Sequence, residues 1–108
     1  MSNRVLGEFE HHVLLAILRK GSESYSVEIV LELEELTGRE VATAAVLVAL
    51  RRLKERGYLE DRFVEPGENG GHARRYFKLT RRAVTEMQAS RQRFIKLWDG
   101  VESILDKA

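Results

Sequence analysis

The last quarter of the chain restricts its fold more than any other segment. Val84, Met87, Arg91, Phe94, Trp98, Val101 and Leu105 step by 3, 4, 3, 4, 3 and 4 residues. That is the a/d spacing of a helix that lays one seam along a partner. Leu97 and Ile104 broaden the apolar face beyond a simple seam. Such a face is not stable in water alone, and within the 108 residues nothing follows that could cover it. The helix is therefore expected to pack on the first helix, on a second copy of the chain, or on both. A homodimer with twofold symmetry is the simplest arrangement. Thr80 stands where a cap is needed, and the helix is expected to run to about Asp106. Gly100 weakens it by about 1 kcal/mol relative to Ala, enough for a kink or fraying there.

Upstream, three shorter helices alternate with stop signals. Phe9, Val13, Ala16 and Ile17 recur at helical spacing. Leu14, Leu15 and Leu18 widen that stripe, so burial on more than one side is expected; Gly21 ends the helix. A second helix opens near Ser26, with Ile29, Val30, Leu33 and Leu36 as its apolar face and Gly38 after its end. Arg39, Glu40 and Val41 suggest one or two extended residues. Thr43 then caps a third helix with Val46, Leu50 and Leu53 at core spacing and Arg51, Arg52, Lys54 and Arg56 in its second half.

Tyr58 to Val64 and Arg74 to Leu79 have strand character, with Leu59 and Phe63 on one face. The Gly- and Asn-rich stretch between them makes a hairpin with a long tip. The expected fold is mainly α with a β-hairpin wing. It is a winged helix-turn-helix over residues 1–80, followed by a long C-terminal dimerisation helix over 81–108.

Composition narrows the function. Net charge is only +1, but it is unevenly spread. Residues 39–82 hold eleven Lys/Arg against six Asp/Glu, while the remainder hold seven against eleven. The basic middle points toward a polyanion. No cysteine is present, which excludes disulfides and thiolate metal sites and suits a cytoplasmic protein. No apolar run is long enough for a membrane span. Met1 to Glu10 has one Arg and no apolar core, unlike a signal peptide, and Asp106 to Ala108 matches no lipidation signal. His11 and His12 lack further ligands at metal spacing, so neither metal nor cofactor is expected. No nucleophile–base pair, carboxylate dyad or phosphate loop stands out. Ser22, Ser24 and Ser26 fall in a turn and a cap, and an enzyme is not expected.

The third helix is the candidate reader of a DNA major groove, with Thr43, Ala44, Leu47, Val48 and Arg51 outward. The hairpin tip, with His72, Arg74 and Arg75, is the candidate contact to phosphates or the minor groove. Arg74 and Arg75 alternate along a strand, so only one can face a ligand. The cations of the third helix have a second reading, as a solvated face paired with the acidic second helix. For Arg52 that structural reading is preferred.

Five segments, in order, resemble the PadR-type regulators. They are Leu6 to Leu18, Ser24 to Ile29, Thr37 to Val41, Leu50 to Leu59, and Gly70-Gly71-His72-Ala73-Arg74-Arg75-Tyr76-Phe77-Lys78-Leu79-Thr80. The resemblance implies a dimeric winged-helix repressor of double-stranded DNA. It implies DNA contacts from Tyr25, Thr43, Leu47, Arg51, Arg74 and Arg75, and dimerisation through the last helix. It also implies a small aromatic effector held between dimer-related Trp98 side chains, near Phe94, Val101 and Leu105. The heptad seam alone explains Trp98 without any ligand, and that reading is preferred. Leu47 stands where the family usually has Tyr, Ala49 where it often has a hydroxyl residue, and Ala44 near a common small residue. The alternative is thus a winged-helix dimerisation or protein-interaction module with weak or lost sequence-specific DNA binding.

Overall fold

The computed structural model describes residues 6–67 and 71–108. Met1 to Val5 and Glu68 to Gly70, the middle of the expected hairpin tip, lie outside the described residues. The elements run α1 (Glu8–Arg19), β1 (Glu23–Tyr25), α2 (Ser26–Thr37), α3 (Thr43–Glu55), β2 (Leu59–Val64), β3 (Arg74–Leu79), α4 (Arg81–Trp98) and α5 (Glu102–Asp106). This is a mainly helical fold with a β wing, as the hydrophobic periods predict.

The sheet has three strands rather than two, in the order β1-β3-β2, with β3 antiparallel to both neighbours. The extended residues expected at Arg39 to Val41 form no strand. The extra strand is instead Glu23–Tyr25, which pairs Glu23 with Lys78, Ser24 with Phe77 and Tyr25 with Tyr76. Three residues are too few to show a period-2 pattern, and the signal is further masked by the serines. Ser24, expected in a turn or cap, is fully buried in β1, and its hydroxyl donates to the Glu28 carboxylate at 2.6 Å. That bond ties the strand to the first turn of α2.

The core forms where α1, α2, α3, the sheet and the start of α4 meet. Val13, Leu14, Ala16, Ile17, Ile29, Val46, Leu50 and Leu53 are essentially inaccessible, with Leu59, Phe77, Leu79, Ala83 and Met87 closing it from the sheet and α4. Each large aliphatic side chain buried there contributes about 1.5–3 kcal/mol. α1 buries one face rather than two: Leu14 is inside, but Leu15 and Leu18 are exposed. Leu36, counted with the inner face of α2, is also exposed. Phe63 shares a sheet side with Leu59 but projects past the end of the core and stays exposed.

Polar contacts fix the element ends. The Gly7 amide donates to Glu10, whose carboxylate also receives Arg56 at 3.1 Å from the end of α3. The Val41 amide donates to Glu34 at 2.9 Å, setting the turn between α2 and α3. Tyr25 and Ala42 occupy the cap positions assigned to Ser26 and Thr43, each one residue earlier than expected. Thr80 caps α4 by accepting from the Ala83 amide, and its hydroxyl donates to the Gly57 carbonyl at 2.8 Å.

The last helix is not continuous to Asp106. α4 stops at Trp98, Gly100 takes φ +83°, and α5 restarts at Glu102. A left-handed residue ends helical hydrogen bonding, and glycine is the residue that reaches it without strain. No described helix is long and apolar enough to cross a membrane.

Candidate nucleic-acid interface

Three elements present the sequence-predicted DNA contacts: α3, the β2–β3 wing and, through Tyr25, β1. Along α3, Val46, Ala49, Leu50 and Leu53 point into the core. This leaves Thr43, Ala44, Leu47 and Arg51 on the outside, with Val48 half-buried beside them. Ala49 is buried, so its missing hydroxyl is not a loss from the outer face. Val48 lines an open groove with Phe9, Ala45 and Arg52, between α3 and the start of α1.

Lys54 and Arg56 have ion-pair partners outside acidic α2. Lys54 reaches Asp61 of β2 at 3.1 Å, and Arg56 reaches Glu10 of α1. Arg51 and Arg52 are exposed, and no ion pair joins either to a carboxylate among the described residues. The structural pairing preferred for Arg52 is therefore not found.

On the wing, strand alternation separates the two arginines. Arg75 shares its sheet side with Phe77 and Leu79, the side that packs on the core. Its guanidinium binds Asp61 at 2.6 Å and lies over the Phe77 ring. Asp61 thus holds Lys54 and Arg75 at once, and hydrogen bonds first from Arg75 and then from Lys54 keep its carboxyl below the usual range.

Arg74 lies on the opposite side. Its guanidinium sits 4.5 Å from the Tyr25 ring centroid, and the two tyrosines, Tyr25 and Tyr76, meet edge to face at 5.3 Å. A hydrogen bond with Tyr76 raises the Arg74 pKa. Tyr76 is flanked by Arg62, which makes a two-pronged contact with Glu23 at 2.7 and 3.0 Å. The row Tyr25–Tyr76–Arg62 crosses all three strands in register. His72 is exposed just before β3.

The sequence-predicted residues therefore fall into three places. Thr43, Leu47 and Arg51 form one helix face. Tyr25 and Arg74 are brought together on the outer side of the sheet, while Arg75 is held toward α3. Sequence reasoning missed Asp61 and Tyr76, which organise the two arginines. Their signal is the hairpin register: Asp61 pairs with Phe77 and so sits diagonal to Arg75, within side-chain reach.

Against known proteins, the model of the transcriptional regulator PadR-like family matches residues 14–89. The chain belongs to that family. Its members are transcriptional regulators, and their fold, a winged helix, is the one described above. A PadR family transcription regulator from hypervirulent Clostridium difficile superposes with a TM-score of 0.77 at 17% identity, covering 92% of this chain and 99% of that one. A PadR-like transcription factor from Bacteroides fragilis gives 0.73 at 25% identity, covering 89% and 88%. Bacillus subtilis PadR in complex with operator DNA gives 0.63 at 20% identity, covering 75% of this chain and 45% of that one. No curated protein matches this PadR-like chain by sequence.

Proposed function

We propose that this chain is a homodimeric transcriptional regulator that represses by binding double-stranded DNA. Residues 1–80 act as the DNA-binding unit, with α3 in the major groove and the wing on the backbone or in the adjacent minor groove. The observation that carries this reading is the distribution of unpaired charge. Arg51 on the outer face of α3 and Arg74 on the wing each lack a carboxylate within ion-pairing distance among the described residues. In the same basic segment Lys54, Arg56, Arg62 and Arg75 are each paired with a carboxylate. Phosphates supply the missing anions. Thr43 and Leu47 meet base edges, Leu47 through thymine methyls, while Tyr25 and His72 flank the backbone.

Residues 81–108 pair the two copies. Phe94, Leu97, Ile104 and Leu105 are each more than half exposed, and Trp98 and Val101 lie beside them. An apolar face of that extent needs a cover. Trp98 is first a packing residue of this interface; in the ligand reading a small aromatic effector stacked on it releases the DNA. The protein works in the cytoplasm and is not an enzyme.

One observation favours a second reading. Ala44 and Leu47 give the outer face of α3 an apolar centre, which suits a protein partner. Selection of duplexes from a random pool, followed by gel-shift titration at rising salt, separates the two. The DNA reading expects an enriched sequence and an affinity that falls as salt rises. An interaction module enriches none and binds no duplex at low salt.

A further inference from the structure

Asp61 is the one carboxylate among the described residues that ion-pairs with both α3 and the wing. Its two oxygens accept from Lys54 at 3.1 and 3.2 Å, and one accepts from Arg75 at 2.6 Å. β2 carries it between them, because Asp61 shares the inward side of the strand with Leu59. The side chain is largely covered, at 20% exposure, although it lies outside the apolar core. The Arg75 guanidinium also lies over the Phe77 ring, 5.2 Å from its centroid, a second contact that restrains it beside Asp61.

We propose that Asp61 is a positioning residue for DNA recognition: it locks the angle between reading helix and wing and withholds two cations from phosphate. This rests on the DNA-binding reading. A winged helix discriminates sequences only if helix and wing meet the duplex in one relative orientation. In a basic segment, free lysines and arginines bind any duplex equally well, and each adds about 0.9 to the slope of log affinity against log salt. Neutralising Lys54 and Arg75 internally lowers that indiscriminate contribution. Arg74, stacked on Tyr25 on the other side of the sheet, stays outward and without a carboxylate partner among the described residues.

The test compares native protein with Asp61→Asn on two duplexes: the one native protein selects from a random pool, and a scrambled version. Glu60→Gln is the charge-matched control, since Glu60 lies exposed on the other side of β2, opposite Lys78. For D61N, binding to the scrambled duplex is expected to tighten roughly threefold to tenfold, and the salt slope to steepen by about one to two. The ratio between the two duplexes is expected to fall by about tenfold, the discrimination carried by one base pair. E60Q is expected to leave slope and ratio near native values. Lys54→Met, which cuts only the α3 arm, is expected to lower the ratio as well and keeps the test open if D61N melts early. An unchanged ratio in both variants overturns the proposal whatever the slope does. If native protein itself selects and binds no duplex, the DNA-binding reading falls first and takes this role with it.

Discussion

At the scale of single residues, adjacency in sequence is a poor guide to shared purpose. Arg74 and Arg75 are neighbours, yet one stacks on Tyr25 and the other is bound to Asp61. Replacing Arg74 with Ala is therefore expected to weaken binding to all duplexes alike and to reduce the salt slope by about one, as the loss of a phosphate contact does. Gel-shift titration over a salt series measures this, and an unchanged slope removes Arg74 from the interface. His11 gives a second prediction. Burial pushes its pKa down, His12 and Arg93 add to this, and Glu86 opposes it. The unfolded chain takes up that proton near pH 6.5, the folded chain only at lower pH. In the window between, the unfolded state holds more protons, so stability is full above the window and is lost as pH falls through it. Glu23 and Asp61, both held below the usual carboxylate range, titrate in more acid solution. The melting temperature is expected to drop as pH falls through about 6.5 and below, and His11→Gln to flatten part of that drop. Identical pH curves for both proteins count against this role.

At the scale of elements, Gly100 gives the sharpest expectation. It holds φ +83° with open space around its α-carbon. Alanine there disfavours the left-handed turn by about 1–2 kcal/mol and favours helix by about 1 kcal/mol. Gly100→Ala is expected to fuse α4 and α5 into one helix, seen as a rise in helical circular dichroism; an unchanged spectrum means the break is imposed by something other than glycine. Most elements were legible in the sequence because their apolar periods are long. α1, α2, α3 and both wing strands stand where Val13, Ile29, Val46 and Leu59 predict, with ends displaced by a residue or so. β1 was not legible, since its strand identity comes from pairing with β3, as Tyr25 with Tyr76, a partner far along the chain that contributes no local pattern. The exposure of Leu15, Leu18 and Leu36 was equally hidden, because periodicity gives a helix's spacing but not how many of its sides find neighbours. The candidate site was half legible. Basic residues and the wing show in one dimension, whereas the Asp61 and Tyr76 contacts exist only once the hairpin register is set.

At the scale of the whole molecule, the chain is elongated, 55 × 35 × 22 Å, and the stretch from Phe94 to Leu105 carries an exposed apolar face. Association through α4 and α5 predicts a particle of about twice 12.4 kDa by light scattering at micromolar concentration. Trp98→Ala is expected to shift that equilibrium toward the monomer, and a native chain that stays monomeric sinks the dimer reading. In the ligand reading, the same substitution chiefly abolishes fluorescence quenching by planar aromatic compounds. The two outcomes separate a packing role for Trp98 from a binding role.

The two bonds made by Thr80 have a mechanical meaning. One caps α4 and the other reaches Gly57, at the end of α3, so the long helix is anchored where reading helix and wing converge. From that pivot α4 extends 18 residues, an arm of about 27 Å. A tilt of ten degrees at the pivot sweeps the Trp98 end through roughly 5 Å, given that length. Run in reverse, the gearing is a reduction. For a rigid arm, a displacement of the Trp98 end becomes a much smaller one beside Thr80, as along the handle of a wrench.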